Sequence, residues 1–182
     1  MESAFLKIGI FLINTLFSFY IIMVLLRFLL QWVKADFYNP ICQLLMKITN
    51  PLLVPLRKII PGFFGLDLAA IVLMLVLQII ALALMSAMLS IPIGIGIILA
   101  AIIKLVLLTI NVYFFAIIIR ALASWLNPNP YHPASMALIQ LTEPILAPIR
   151  RVVPSIAGFD LSPIVALILL QVLLIFLRSI FG

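Results

Sequence analysis

Side chains that could carry out acid–base, nucleophilic or metal chemistry are few in this sequence and lie far apart. The chain has 182 residues and five carboxylates. These are Glu2, Asp36, Asp67, Glu143 and Asp160. No two of them fall within one helical turn, so no local carboxylate pair is available for acid–base or metal work. The single histidine, His132, has no neighbouring nucleophile and is expected to be a solvated turn residue. We therefore predict that the protein is not an enzyme and uses no metal or cofactor.

A second set of polar residues recurs at a spacing of 93 residues. The first copies and their equivalents are Arg27 and Arg120, Asp67 and Asp160, and Gln78 and Gln171. Tryptophan and proline obey the same offset, for example Trp32 with Trp125 and Pro51 with Pro144. Such residues are scarce in an apolar chain, so their coincidence at one offset indicates a tandem duplication. We assign the first repeat to residues 1–92 and the second to residues 93–182.

The repeated charges lie close to apolar runs, where an uncompensated charge is costly. We expect Arg27 to pair with Asp67, and Arg120 to pair with Asp160. Each aspartate also directly precedes an apolar run, where it would cap a helix by accepting hydrogen bonds from free backbone amides. Capping and pairing are compatible. The repeated amides lie deeper, where hydrogen bonds to another helix are common, and they are Gln78 and Gln171.

The elements that position these residues follow from the composition. The chain is 67% hydrophobic and 9% charged, with a mean hydropathy of +1.43, which is typical of a membrane protein. Four apolar runs are long enough to cross a bilayer, at about residues 8–32, 68–89, 97–125 and 161–180. Two spans per repeat give both repeats the same orientation. We predict an all-α membrane protein with four transmembrane helices, arranged as two parallel repeats of helix, interfacial segment and helix.

The interfacial segments cover about residues 40–61 and 133–154. Both have the helical spacing of an amphipathic helix lying on a membrane surface. The expected apolar faces are Ile41, Leu44, Leu45, Ile48 and Leu52 in the first segment, and Ala134, Ala137, Leu138, Leu141 and Ile145 in the second. Prolines four residues apart are expected to interrupt a long helix in each segment. A piece this short and broken would lie at the interface or form a re-entrant element.

Basic residues predict the orientation of the chain, whose formal charge is +6. The two long connections contain Lys34, Lys47, Arg57, Lys58, Arg150 and Arg151. The positive-inside rule places these connections in the cytoplasm and both termini outside it. Two roles remain open for Arg57, Lys58, Arg150 and Arg151, namely anchoring against anionic lipid or docking of a partner protein. The basic residues form no dense solvated cluster, so we expect no direct binding of nucleic acid.

A repeated motif resembles the YggT family of small bacterial membrane proteins. The motif reads NPLLVPLRK at 50–58, followed by Pro61 and Gly65-Leu66-Asp67; the second copy reads EPILAPIRR at 143–151, followed by Pro154 and Gly158-Phe159-Asp160. The resemblance covers nearly the whole chain. The copies differ where Asn50 is replaced by Glu143, so they are not expected to be equivalent. The family has no agreed biochemical activity. Its members are linked to osmotic-stress tolerance, to cell-envelope or division processes and, in plastids, to cytochrome assembly.

Three functional hypotheses follow. The leading one is a non-enzymatic inner-membrane protein that organises or helps to assemble membrane protein complexes, with membrane lipids and other membrane proteins, or further copies of itself, as partners. The alternative is a small ion channel or transport component that acts as an oligomer, since charged and amide groups at membrane depth often mark permeation paths. A third is a sensor of the lipid surface, through the amphipathic segments.

Overall fold

The computed structural model describes residues 2–63, 65–92, 94–126, 132–153 and 160–181, which contain six α-helices. The helices are α1 Glu2–Trp32, α2 Pro40–Ile59, α3 Leu68–Met88, α4 Gly96–Leu126, α5 Pro133–Val152 and α6 Ser162–Phe181. Four of these helices are long and apolar enough to cross a membrane, over Ala4–Trp32, Leu68–Met88, Gly96–Ser124 and Ser162–Phe181. They match the predicted spans to within four residues at each end. The predicted all-α fold of two repeated halves is confirmed.

The two interfacial segments form the amphipathic helices α2 and α5. The expectation that prolines interrupt them was wrong, because α2 continues through Pro51 and Pro55, and α5 continues through Pro144 and Pro148. A proline inside a helix removes one backbone hydrogen bond and crowds the preceding turn. In α2 this cost is offset by contacts on the side of the helix opposite the prolines, where Thr49 and Leu53 are fully buried.

The residues of α2 that are buried inside the protein only partly coincide with the predicted apolar face. The buried residues are Cys42, Leu45, Thr49 and Leu53, whereas Leu44 and Leu52 of the predicted apolar face are 57% and 44% exposed. Thr49 is among the buried residues because it is a hydrogen-bond partner inside the protein, which a count of apolar residues does not detect. In α5, Ala137 and Leu141 of the predicted apolar face are buried, together with Thr142 and Leu146.

A tight turn joins α2 to α3. The backbone amide of Phe63 donates to the carbonyl of Leu66 at 3.1 Å, and the amide of Leu66 donates back to the carbonyl of Phe63 at 2.9 Å. Gly65 has a φ of +80°, a left-handed conformation that glycine adopts without steric cost. The turn brings Asp67 back towards the end of α2. Pro154 and Gly158 of the second motif, and Tyr131, which repeats Tyr38 at the 93-residue offset, lie outside the described residues.

The chain forms two compact units that do not follow the sequence repeats. The first unit comprises residues 1–28 and 45–108, and the second comprises residues 29–44 and 109–182. In the second unit, Ile117, Leu146 and Ala166 form a buried core, so this core joins α4, α5 and α6. In the first unit, Ile21, Val24 and Leu53 are completely buried. Leu53 and Leu146 are equivalent in the 93-residue repeat, so each unit uses its interfacial helix as part of its core.

Candidate functional site

The first polar cluster consists of Arg27, Thr49, Arg57 and Asp67. Arg27 of α1 donates through Nη1 to Oγ1 of Thr49 in α2, at 2.6 Å. The Thr49 hydroxyl in turn donates to the carbonyl of Leu45 at 2.6 Å. Arg27 is only 7% exposed and Thr49 is completely buried. A charge-assisted hydrogen bond thus fixes the interfacial helix to the first span.

The same cluster contains an ion pair between the end of α2 and the start of α3. Arg57, in the last turn of α2, donates through Nη2 to the carboxylate of Asp67. Asp67 is the N-cap of α3 and its other oxygen accepts from the amide of Ala70 at 3.3 Å. Its side chain is 5% exposed. The capping role predicted for Asp67 is confirmed, and the carboxylate also joins two helices.

The second polar cluster consists of Arg120, Thr142, Glu143, Arg150 and Asp160. Arg120 of α4 donates to Oγ1 of Thr142 at 2.7 Å, and the Thr142 hydroxyl donates to the carbonyl of Leu138 at 2.6 Å. These bonds repeat those of the first cluster, 93 residues later. Arg120 additionally donates through Nη2 to Glu143 at 2.8 Å.

Glu143 extends the second cluster into a continuous chain of ion pairs. It accepts from Nη1 of Arg150 at 2.9 Å, and Nε of Arg150 donates to Asp160 at 3.0 Å. Asp160 also accepts from the amide of Ser162, the first residue of α6, at 2.9 Å. Asp160 therefore accepts from the first backbone amide of α6. It lies two residues before the helix, one residue before the N-cap position.

Charges of opposite sign shift the pKa values of this chain of ion pairs. Burial alone would raise the pKa of the Glu143 carboxyl, but hydrogen bonds and charges from Arg120 and Arg150 outweigh burial and lower it. The pKa of Asp160 is also lowered, because hydrogen bonds from Ser162 and Arg150 outweigh burial. The pKa of Arg150 is raised by its two carboxylate partners, although its burial acts in the opposite direction. Both carboxylates are thus ionised at neutral pH.

The expected pairing of Arg27 with Asp67, and of Arg120 with Asp160, is not what the structure shows. Each aspartate instead forms its ion pair with the arginine ten residues before it, across the turn after the interfacial helix. The span arginines donate to threonines in the middle of the interfacial helices. The sequence contained an indication of both kinds of contact, arginine–threonine and arginine–aspartate. The threonines and the ten-residue arginine–aspartate spacing recur at the 93-residue offset.

The two repeated glutamines have different surroundings. Gln78 is 3% exposed and lies among the buried residues of α3. Gln171 is exposed on α6. The exposed residues Ile164 and Ile168 lie seven and three residues before Gln171, and Ile175 lies four residues after it, so all share one face of the helix. Gln171 therefore interrupts an otherwise apolar face.

The other predicted site residues remain at the surface. Lys58 and Arg151 are exposed beside the two ion-paired arginines. His132 is exposed and caps α5, since its Nδ1 accepts from the amide of Ala134 at 3.3 Å. Among the described residues, no group of three or more histidine, cysteine, aspartate or glutamate side chains is placed to hold a metal ion. The clusters join helices to one another through hydrogen bonds and ion pairs.

The chain matches a known family over most of its length. A family model described as CCB3/YggT matches the chain twice, over residues 6–88 and 99–181. The chain belongs to the CCB3/YggT family. The two matches are offset by 93 residues, which is the spacing of the internal repeat.

Three relatives illustrate the range of the CCB3/YggT family. The chain is 42% identical over 168 residues to Uncharacterized protein PA0392 of Pseudomonas aeruginosa, covering 91% of this chain and 85% of that protein. It is 36% identical over 165 residues to Uncharacterized protein YggT of Escherichia coli K12, covering 90% and 85%. It is 36% identical over 63 residues to Uncharacterized protein ycf19 of Guillardia theta, covering 34% and 69%. No solved structure matches the chain.

Proposed function

We propose that this CCB3/YggT-family protein is a non-enzymatic multi-pass protein of the bacterial inner membrane that organises other membrane proteins or assists their assembly. The observation that carries the proposal is the exposure of Gln171 on α6. In hydrocarbon an amide has no water to bond with, so it favours a polar partner on another helix. The equivalent Gln78 is buried within its own unit. The proposed partner is therefore a transmembrane helix that presents a hydrogen-bonding side chain to Gln171.

Site-specific photocrosslinking in cells tests this proposal. A photoreactive residue at Ile175, on the Gln171 face, is expected to capture a defined membrane protein. The matched control carries the same residue at Leu169, which is 56% exposed but lies about 160° around the helix from Gln171. Gln171→Leu should weaken capture at Ile175 several-fold. Equal capture at both positions, or a clean monomer with no product, would contradict the proposal, and a product between two copies would identify self-association.

The polar clusters suggest a role for the rest of the protein in this activity. Each cluster fixes an interfacial helix to two spans, so α2 and α5 present stable surfaces instead of moving freely. The exposed Lys58 and Arg151 lie on these helices. We propose that these surfaces face the cytoplasm and that both termini lie outside it, in accordance with the positive-inside rule. Reporter fusions after residue 182 test the orientation: alkaline phosphatase should be active there and a cytoplasmic fluorescent protein should not.

Participation in osmotic-stress tolerance or in cell-envelope and division processes is part of the same proposal. It rests on membership of the family and on the membrane spans. Deletion of the gene, followed by growth after osmotic upshift and by imaging of cell shape, tests it. Complementation by the wild-type protein but not by Gln171→Leu would connect the phenotype to the α6 face. Full complementation by Gln171→Leu would separate the phenotype from that face.

One observation favours the alternative of an ion-conducting oligomer. Lys104 of α4 donates to Oδ1 of Asn14 in α1 at 3.0 Å, so a cationic side chain and an amide meet between two spans of the first unit. Such groups often line ion pathways. Ion flux into liposomes that contain the pure protein tests the alternative, with Lys104→Met as the variant. A flux that Lys104→Met changes would support conduction, and the absence of flux would leave the organising role.

A further inference from the structure

The two polar clusters differ in charge at one pair of equivalent positions. Position 143 is glutamate and position 50 is asparagine. In the second cluster, the Glu143 carboxylate bridges Arg120 at 2.8 Å and Arg150 at 2.9 Å. With Asp160, this cluster has two guanidinium groups and two carboxylates, so its charges balance.

The first cluster has the same two arginines and one carboxylate fewer. Arg27 and Arg57 stand with Asp67, and Asn50 has no charge, which leaves one positive charge in excess. The acceptor of Arg27 is the neutral hydroxyl of Thr49. Because Arg27 is only 7% exposed, water screens little of its charge. The charge of Asp67 acts on Arg27 but is also paired with Arg57, so it cannot neutralise both arginines. Unbalanced buried charge is costly, so this cluster favours an anion from outside the chain.

We propose that the first polar cluster binds the phosphate group of one anionic phospholipid at Arg27 and Asn50. The phosphate would take the place that the Glu143 carboxylate holds in the second cluster. A guanidinium matches two phosphate oxygens with parallel hydrogen bonds, and the Asn50 amide is a donor that a glutamate could not provide. Asn50 is half-buried, so a headgroup can reach the cluster from the surface.

The surroundings of the cluster favour a lipid phosphate over free phosphate. Arg27 lies five residues before Trp32, close to the expected membrane–water interface. The exposed surface of α2 and the following turn carries apolar side chains that acyl chains could contact. These are Leu52, Val54, Ile59 and Phe63, with exposures of 44%, 46%, 79% and 63%. A cationic group near the membrane–water interface, with exposed apolar residues on the neighbouring helix, is typical of a site for an anionic lipid headgroup.

The internal duplication provides both variants of the test. Asn50→Glu gives the first cluster the carboxylate of the second, and Glu143→Asn removes that carboxylate from the second. The full-length protein is reconstituted with phosphatidylglycerol and phosphatidylcholine, and retained lipids are counted by native mass spectrometry. The wild type is expected to retain one phosphatidylglycerol in preference to phosphatidylcholine. Asn50→Glu should reduce its affinity by about tenfold or more, since charge-assisted hydrogen bonds are lost.

Glu143→Asn should add a second phosphatidylglycerol, and Asn50→Gln, which stays neutral, should retain the first. Unchanged retention by Asn50→Glu would overturn the proposal, and because that variant adds a favourable charge, a folding defect is not expected to confuse the result. Displacement of the lipid by excess inorganic phosphate would identify free phosphate as the ligand and overturn the proposal that the ligand is a lipid. Loss of a copurifying protein instead of a lipid in Asn50→Glu would assign the site to a protein carboxylate. The proposal does not depend on the function of the α6 face.

Discussion

Arg57 and Asp67 form an ion pair that joins the last turn of α2 to the first turn of α3, and Arg150 and Asp160 repeat the pair before α6. The two pairs differ in exposure. The Asp67 side chain is 5% exposed, whereas that of Asp160 is 40% exposed. One gene duplication has therefore produced the same contact in two different electrostatic surroundings.

This difference predicts unequal effects of the same substitution. Arg57→Gln leaves the buried Asp67 carboxylate without its cation and should lower the free energy of unfolding by about 1–3 kcal/mol. Arg150→Gln acts on a more exposed pair and should lower it by less than about 1 kcal/mol. Unfolding by SDS in mixed micelles measures both values. Equal losses would show that burial of Asp67 does not determine the strength of the pair.

The threonines of the interfacial helices give a second comparison. Thr49→Val keeps the shape of the side chain but removes the acceptor of the buried Arg27, so it should cost about 1.5–3 kcal/mol. Thr142→Val should cost less, because Arg120 still donates to Glu143. The same mixed-micelle titration applies. A larger loss for Thr142→Val would contradict the role of Glu143 as a second acceptor.

Acidification should destabilise the second polar cluster. The folded pKa values of Glu143 and Asp160 lie below their ordinary values, so the stabilisation is complete above the unfolded pKa values and is lost as the pH falls through the folded ones. The free energy of unfolding of the wild type should therefore decline below about pH 4.3, the ordinary glutamate pKa. The double variant Glu143→Gln with Asp160→Asn should decline less over the same range. Parallel pH profiles for the two proteins would exclude these carboxylates as the cause.

Cys42 should be unreactive in the folded protein. It is 6% exposed, and burial together with the nearby charge of Asp36 raises the pKa of its thiol. Since the thiolate is the reactive form, alkylation by iodoacetamide near pH 8 should be at least about tenfold slower than in SDS. Asp36→Asn should accelerate the reaction only slightly, because burial is the larger cause. An acceleration as large as that produced by unfolding would mean that the charge controls the thiol.

The spans and the interfacial helices could be predicted because hydropathy and amphipathicity are sums over many neighbouring residues. The cap at Asp67 was predictable because it depends on one side chain and the amides directly after it. The partner of Asp67 was not, since it depends on a turn at Gly65 that brings residues ten apart into contact. The partner of Arg27 was not, since it depends on the packing of α1 against α2. The continuity of α2 through Pro51 was also missed, because local propensity favours a break and tertiary contacts override it.

The compact units give the duplication a consequence for protein engineering. A cut between residues 92 and 93 separates the two copies, yet it removes residues 93–108 from the first unit and residues 29–44 from the second. The sequence repeat and the compact unit therefore have different boundaries in this protein. A chimera that exchanges whole repeats between relatives will contain an incomplete compact unit on each side of the junction. Crossovers after residues 28, 44 and 108 would instead carry each unit intact.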